Sequence, residues 1–183
     1  NIVEIHTSKY YSFTEEMIRR GFNPTSKLIE RRIKTLRDTD CPRELAEKLM
    51  LHENDEVLYI KRQRFVDGIA TAIDMTYIPL IMITQEEKSE LLKSDFHYIN
   101  SVDAKIRKVR NTPTRAQEVF SIEHLSKDDA SFFNVTTNSP VIKMTRTTYS
   151  NDSIVEYNIH LCRNTRFNYT VEIKSIEEPP RIY

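Results

Sequence analysis

The sequence of 183 residues contains only two glycines, Gly21 and Gly68. P-loops and Rossmann dinucleotide-binding motifs need several glycines close together, so both classes of nucleotide-binding motif are excluded. The two cysteines, Cys41 and Cys162, show neither metal-ligand spacing nor a disulfide framework, which predicts a reducing, cytoplasmic location. No apolar run approaches the length that spans a bilayer, and we therefore expect no membrane partner.

The charges of the chain are balanced, because 27 Lys and Arg residues are matched by 27 Asp and Glu residues. A surface that binds nucleic acid by itself usually carries an excess of basic charge, so this chain alone is not expected to bind DNA directly. Its length suits one domain with a sizeable core. The sequence starts at Asn1 without a methionine, from which we expect a fragment or a processed chain with a further segment upstream.

One pattern of residues occurs twice, and each residue of the second copy is numbered 84 higher than its counterpart in the first. The pattern covers both a helix motif and a strand motif, and a constant offset across both is hard to obtain by chance. It predicts an internal pseudo-repeat of two related half-units, each with an arginine-bearing strand and a hairpin. The offset joins Ala46 and Ala130, Leu49 and Phe133, Leu51 and Val135, Val57 and Val141, Ile60 and Met144, Arg62 and Arg146, and Asp67 and Asn151.

Capping and strand patterns predict an α+β fold, with an antiparallel sheet flanked by short helices. Ser12 and Glu15 form one helix-capping box, and Thr84 and Glu87 form another. The predicted helices cover residues 13–20, 84–92, 94–99 and 126–133, and one more opens at Pro42. The predicted strands cover residues 26–36, 57–65, 70–78, 106–109, 116–123, 141–149, 154–163 and 167–173, the last three joined by tight turns.

The arginines of the predicted strands share a face with apolar residues. Because side chains alternate along a strand, Arg62 and Arg64 lie on the same face as Leu58 and Ile60, and Arg146 repeats the arrangement. A guanidinium is costly to bury without a partner, so these arginines are expected at the rim of the core. Arg62 and Arg64 together suit bidentate recognition of a phosphate or a carboxylate.

Ordinary cross-strand salt bridges are the simpler explanation of the two arginines, and such ion pairs outnumber ligand sites. Asp74 and Glu156 are the candidate acidic partners. If the hairpin loop has three residues, Asp67 to Ile69, Asp74 lies opposite Arg62. If the loop has two residues, Asp74 points to the other face. The sequence leaves both registers open.

The five histidines are scattered, and none forms a helical pair with a glutamate, so we expect no zinc hydrolase, metal site or cofactor. His160 alternates with Glu156 and Asn158 on one strand face and is expected at the surface.

The order and spacing of these motifs resemble the UTRA domain, which is the effector-binding domain of the HutC-type branch of GntR-family bacterial transcription regulators. The resemblance covers about residues 12–173. It is carried by Ser12-Phe13-Thr14-Glu15, Gly21, Ala46-x-x-Leu49-x-Leu51, Ile60-x-Arg62-x-Arg64-x-x-Asp67-Gly68, Tyr77-Ile78-Pro79, Val141, Arg146, Tyr149, Val155-Glu156-Tyr157 and Arg163-x-x-Arg166-Phe167.

The resemblance implies a chorismate-lyase-like fold, usually paired as a homodimer, and a ligand sensor rather than an enzyme. It implies a linker over residues 1–11 from an upstream winged helix-turn-helix domain, an effector-binding domain over 12–174 and a tail over 175–183. Operator DNA would be bound only through the upstream domain. Effectors of the family are small anions, often phosphorylated sugars. The family's ligand positions fall here on Phe13, Thr14, Arg62, Arg64, Asp74, Ser94 and Glu156.

The sequence departs from the family's pattern at positions that bear on the effector. Asp74 stands where glutamate is usual, which shortens the side chain by one methylene, and Cys162 stands where tyrosine is common. Two alternatives therefore stay open beside the sensor. One is a lyase-like enzyme on the same fold acting on a small carboxylate, and the other is a dimerisation module with a degenerate pocket.

Overall fold

The computed structural model of the protein describes residues 3–6, 13–82, 84–86, 88–89, 113–163 and 167–170. Its strands are β1 (Val3–His6), β2 (Pro24–Thr35), β3 (Glu56–Val66), β4 (Ile69–Pro79), β5 (Arg115–His124), β6 (Pro140–Ser150), β7 (Ser153–Cys162) and β8 (Phe167–Thr170). Its α-helices are α1 (Phe13–Arg19), α2 (Leu45–Leu49) and α3 (Lys127–Phe132), and a 3-10 turn follows β4 at Leu80–Met82.

A six-stranded sheet in the order β2-β3-β4-β7-β6-β5 forms the centre of the fold, and all its neighbouring strands are antiparallel. The sheet consists of two three-stranded halves that meet where β4 pairs with β7, a junction that we call the seam. The predicted α+β class with an antiparallel sheet and short helices is confirmed.

The pseudo-repeat extends to details of the backbone. In the first hairpin, Arg64 pairs with Ala72 and Phe65 pairs with Ala70, so Thr71 is an extra, bulged residue. In the second hairpin the same shift leaves Val155 as the bulge, 84 positions later. The two half-units therefore share one strand register and one bulge position, which the constant sequence offset predicts.

The bulge decides the register that the sequence left open. The hairpin loop has two residues, Asp67 and Gly68, with φ of 52° and 75°, as a type I′ turn requires. A two-residue loop alone would send Asp74 to the face opposite Arg62. The extra residue Thr71 restores the alternation, and Asp74 pairs directly with Arg62.

The two short helices α2 and α3 end in the same way. Met50 and Asn134 follow them with φ of 55° and 52°, in the left-handed conformation that commonly ends helices. The next residues then donate back into the helix, Leu51 to the carbonyl of Ala46 and Val135 to that of Ala130. Both helix ends therefore satisfy a carbonyl group that would otherwise lack a backbone partner.

The main core lies on the sheet face covered by α2 and α3. Leu45 and Leu49 of α2 are buried there with Tyr59, Tyr77 and Tyr157 from the central strands. Because this face holds most of the buried apolar surface, it supplies most of the hydrophobic stabilisation of the described residues. The opposite face carries a smaller apolar cluster of Leu58, Ile60 and Ile78, and beside it the polar side chains of the same strands.

Two predicted elements differ from the structure. The second helix begins at Leu45 rather than at Pro42, because Pro42 lies in a turn whose carbonyl accepts from the Leu45 N–H at 2.9 Å. Strand β8 does not continue the run of hairpins but pairs in parallel with β1 in a separate two-stranded sheet.

Several predicted elements reach beyond the described part of the chain. The helix predicted over residues 94–99 and the strand over 106–109 lie entirely outside the described residues. The helix from Thr84 is described in part, and there the Lys88 N–H donates to the Thr84 carbonyl at 2.9 Å. None of the helices in the described ranges is long and apolar enough to cross a membrane.

Replacing Gly68 by alanine is expected to lower the free energy of unfolding by about 1–2 kcal/mol, because an L-residue with a Cβ is disfavoured at this positive φ. No atom lies within 4 Å of the added Cβ, so steric contacts contribute little. Asp152 occupies the equivalent position in the second hairpin without a positive φ and provides the matched control. Urea denaturation should show a change within about 0.5 kcal/mol for Asp152→Ala. Equal effects of the two substitutions would contradict the type I′ turn assigned to the first hairpin.

Candidate functional site

The register of the central strands brings four charged side chains together on the sheet face opposite the main core. Asp74 of β4 pairs with Arg62 of β3 on one side and with His160 of β7 on the other. Arg64 lies two residues along β3 and therefore points to the same face. We call these four residues, Arg62, Arg64, Asp74 and His160, the charged cluster.

Asp74 is the centre of the charged cluster and is only 3% exposed. Its Oδ1 lies 2.5 Å from Nδ1 of His160, and its Oδ2 accepts from Nε of Arg64. The terminal nitrogen Nη2 of Arg62 lies 3.8 Å from the same Oδ2. Three cationic side chains thus surround one carboxylate, and both of its oxygens are bound by them.

The charges within the cluster determine its protonation state. Burial by itself raises the pKa of Asp74, but the charges of Arg64, His160 and Arg62 outweigh burial and hold that pKa well below its usual range. For His160 burial has the opposite effect and lowers the pKa, because the charged form is the protonated one. The negative charge and the hydrogen bond of Asp74 outweigh burial and raise the pKa of His160 to about 9. The carboxylate and the imidazolium are therefore both charged at neutral pH.

Neutral donors and acceptors hold the arginines in place. Nη1 of Arg64 donates to the hydroxyl of Ser26 on β2 at 2.8 Å and lies 3.4 Å from that of Thr14 on α1. Nη2 of Arg62 donates to the hydroxyl of Thr76 at 3.1 Å. Contacts from β2, β4 and α1 therefore fix guanidinium groups that are almost fully buried.

The second half-unit has the same backbone at the seam but different chemistry. The residue equivalent to Asp74 is Asn158, which donates to the hydroxyl of Thr76 at 2.9 Å. Arg146, the equivalent of Arg62, forms an ion pair with Glu118 on β5 through Nε at 2.7 Å. Thr148 stands where the first half has Arg64. Within the described residues, a cluster of this kind therefore occurs in one half-unit only.

The predicted site residues fall into three groups. Arg62, Arg64, Asp74 and Thr14 lie together in or beside the charged cluster. Glu156 is half-buried on β7, on the same face as His160 but opposite Thr148. Phe13 is the first residue of α1, and Ser94 lies outside the described residues.

The expectation that His160 lies at the surface is wrong, because it is 9% exposed and bonded to Asp74. Its alternation with Glu156 and Asn158 placed it on the correct face. The pairing of that face with Asp74 depends on the register between β4 and β7, which no short turn fixes. The roles of Ser26 and Thr76 were missed for the same reason, since both depend on partners in neighbouring strands.

The cluster is suited to hold an anion rather than to transfer protons. Guanidinium groups recognise phosphate and carboxylate through paired N–H donors. Asp74 is a poor general base because its pKa is lowered and its oxygens are already bound to cations. Among the described residues, no group of three or more His, Cys, Asp and Glu side chains could hold a metal ion.

The amino-acid sequence matches the family model of the UTRA domain over residues 19–168. This chain belongs to the UTRA domain family. The matched region includes β2 to β7 and with them the whole charged cluster. The family resemblance seen in the sequence motifs is therefore confirmed.

Two curated relatives of this UTRA chain are named as regulators of transcription. The HTH-type transcriptional repressor NagR of Bacillus subtilis is 28% identical over 160 residues, which cover 86% of this chain and 61% of that protein. The HTH-type transcriptional regulator GgaR of Escherichia coli is 21% identical and is matched over 94% of this chain and 64% of its own length. The chain thus spans less than two thirds of either relative.

A solved structure has the same fold. The effector domain of PhnF from Mycobacterium smegmatis superimposes with a TM-score of 0.77 at 20% identity, covering 93% of this chain and 100% of that domain. At this level of identity the comparison establishes the architecture of the UTRA domain and not its ligand.

Asp74→Asn is expected to lower the free energy of unfolding by about 3–5 kcal/mol, because it leaves buried cations facing a neutral amide. Glu123→Gln removes a carboxylate that is 49% exposed and paired with Lys143, and should change stability by about 0–1 kcal/mol. Urea denaturation at neutral pH measures both. Because the folded-state pKa of Asp74 is lowered, its contribution should be present above about pH 4 and lost as the pH falls below that value. A loss no larger than that of the control would contradict the central role of Asp74.

Proposed function

We propose that this UTRA domain is the ligand-sensing and dimerisation domain of a transcription regulator. It binds a small anionic effector, a phosphorylated sugar, and controls DNA binding by a winged helix-turn-helix domain encoded upstream. The observation that carries the proposal is the charged cluster, in which Arg62, Arg64 and His160 surround the buried carboxylate of Asp74.

The energetics of burial support a binding role for this cluster. Buried ion pairs stabilise proteins little compared with apolar residues of the same size, because desolvation offsets their attraction. A sheet of this size does not need four charged side chains at its centre for stability. Perturbed titratable groups that converge in this way are typical of functional sites, although structural networks also produce them.

The chemistry of the donors supports an anion with several oxygens. Arg62 and Arg64 project from the same strand face, and hydroxyls of Ser26, Thr14 and Thr76 lie beside them. Guanidinium groups match the oxygens of a phosphate, and hydroxyl groups can donate to a phosphate or accept from a sugar. Glu156 on the same face would accept from sugar hydroxyls, and Phe13 and Ser94 would complete the site.

The relatives support the regulatory part of the proposal. NagR and GgaR are both named as HTH-type regulators, and the match covers 61% and 64% of their lengths. We propose the same arrangement here, with residues 1–11 as the link to the DNA-binding domain, residues 12–174 as the effector domain and 175–183 as a tail. Such a regulator acts in the cytoplasm as a homodimer.

A thermal-shift screen of the domain against phosphorylated hexoses and their unphosphorylated parents tests the ligand class. A ligand at 100 times its Kd stabilises the folded state by about 2.7 kcal/mol, which raises the melting temperature of a domain of this size by about 5–10 °C. We expect such a shift from at least one phosphorylated sugar and none from its parent sugar. Shifts that do not depend on the phosphate would contradict the proposal.

Arg64→Lys is expected to weaken binding of the phosphorylated sugar about ten-fold or more, because lysine keeps the charge but loses the planar fork. Arg115→Lys is the matched control, since Arg115 is exposed on β5 at the far edge of the sheet. Isothermal titration calorimetry should give the control the affinity of the wild type. Equal affinities of the wild type and both variants would show that the Arg64 guanidinium does not contact the effector.

The link to DNA requires the full-length gene product. Allosteric coupling typically amounts to a change of about 5- to 150-fold in affinity and is reciprocal between the two ligands. We expect the sugar phosphate to change operator affinity by a factor in this range, and operator DNA to change sugar-phosphate affinity by the same factor. An operator affinity that does not depend on the effector would contradict the regulatory part of the proposal.

A further inference from the structure

We infer that β5 is the surface through which two copies of this chain pair. The two β5 strands lie side by side in antiparallel order about a two-fold axis at Val119, so that the two six-stranded sheets join into one. This inference rests on the dimerisation proposed above and names the surface that performs it. It does not depend on which anion the charged cluster binds.

The exposure of β5 is the first observation. Nine of its ten residues are exposed, and the exposed fractions of Val119, Phe120 and Ile122 are 54%, 43% and 66%. Phe120 and Ile122 lie on the face of the charged cluster, next to the exposed Ile142 of β6, whereas Val119 lies on the other face. Apolar side chains therefore reach the solvent on both faces of one strand. Clustered exposed apolar surface of this kind is typical of interaction sites.

The backbone of β5 is the second observation. Among the described strands of the sheet, β6 is its only neighbour, so β5 is an edge. Its pairing with β6 runs from Arg115 to His124 without a bulge. A long regular edge strand presents N–H and C=O groups that can pair with another strand. The sequence of β5 contains no lysine, proline or glycine that would oppose such pairing.

The opposite edge of the sheet, β2, is protected against pairing. Its register with β3 shifts between Leu28 and Glu30, which leaves Ile29 as an extra, bulged residue. Exposed positions of β2 also carry Lys27 and Arg32. Bulges and charged side chains are features by which proteins prevent pairing at sheet edges. The contrast between the two edges favours β5 as the one that associates.

The sequence of β5 is complementary to itself, which indicates a second copy of this chain as the occupant. When Val119 lies opposite Val119 of the second copy, Arg115 lies opposite Glu123 and Ala116 lies opposite Ile122. Opposite charges then meet at both ends of the strand, and a small side chain meets a large one between them. A two-fold interface uses each of these pairs twice and closes with two copies.

Neighbouring registers fit less well. A shift by two residues in one direction places Glu118 opposite its own copy, and like charges directly opposite each other destabilise a sheet. A shift in the other direction separates Arg115 from Glu123. Within the chain Arg115 stacks on the ring of Tyr149, and Glu123 pairs with Lys143. The end charges are therefore exposed groups that set the register, while the apolar residues between them supply the affinity.

Val119→Lys tests the surface in the 183-residue chain, with Ile29→Lys on β2 as the matched control. Val119→Lys places two ammonium groups opposite each other at the two-fold axis. We expect the dissociation constant of the dimer, measured by analytical ultracentrifugation, to rise about 100-fold or more. Ile29, at 44% exposed, is similarly accessible in the single chain, and its variant should keep the wild-type dissociation constant. Circular dichroism should show the wild-type fold for both variants.

The outcomes separate this inference from the proposed function. A dimer of wild-type strength in Val119→Lys would overturn the β5 interface and leave dimerisation to another surface. Equal weakening by Ile29→Lys would also overturn it. A wild-type chain that is monomeric at every concentration measured would contradict the proposed dimerisation itself.

Disulfide formation tests the register independently, in a background of Cys41→Ala and Cys162→Ser. Val119→Cys should crosslink to its own copy under mild oxidation, because directly opposite Cα atoms lie about 4.5–5.5 Å apart, within the range of a disulfide. Ala116→Cys should not crosslink to its own copy, since the two would lie about 20 Å apart along the strands. It should crosslink to Ile122→Cys when the two variants are mixed. Crosslinking of Ala116→Cys to itself, or none in the mixture, would overturn the antiparallel pairing about Val119.

Discussion

The buried carboxylate of Asp74 is the group on which the polar face of this UTRA domain depends. It ties β3 to β4 through Arg64 and β4 to β7 through His160, so it connects the two half-units at their seam. Without it, two guanidinium groups and an imidazolium would lie in a poorly solvated site with mutual repulsion. With it, the same groups are fixed by charge and hydrogen bonds in an arrangement that suits an anionic guest.

The pseudo-repeat shows how one backbone supports two kinds of chemistry. Both hairpins have a two-residue turn and a bulge, at Thr71 and at Val155, and a left-handed residue follows each helix, Met50 after α2 and Asn134 after α3. Several core positions stay apolar in both halves, such as Leu49 and Phe133, whereas the seam pair Asp74 and His160 corresponds to the neutral pair Asn158 and Thr76. The shared apolar positions therefore retain the common fold, and the charged cluster lies on the polar face of the first half-unit.

Much of the architecture could be predicted from the sequence, because turn chemistry and alternation act locally. The hairpins, the capped helix at Ser126 and the common face of Arg62 and Arg64 all follow from short-range patterns. The bulge at Thr71 could not be predicted, since either loop length was compatible with the residues present. The partner of Asp74 in β7 was also beyond reach, because β4 and β7 belong to different hairpins and their register depends on packing.

The central proposal is that the charged cluster is an anion site and not merely an internal ion pair. A crystal structure of the domain grown with tungstate, a strongly scattering analogue of phosphate, tests it most directly. If the cluster binds anions, an anomalous peak is expected within hydrogen-bonding distance, about 3 Å, of the terminal nitrogens of Arg62 and Arg64. An empty cluster, in crystals that bind tungstate elsewhere or not at all, would contradict the claim and leave Asp74, Arg64 and His160 as a purely structural network.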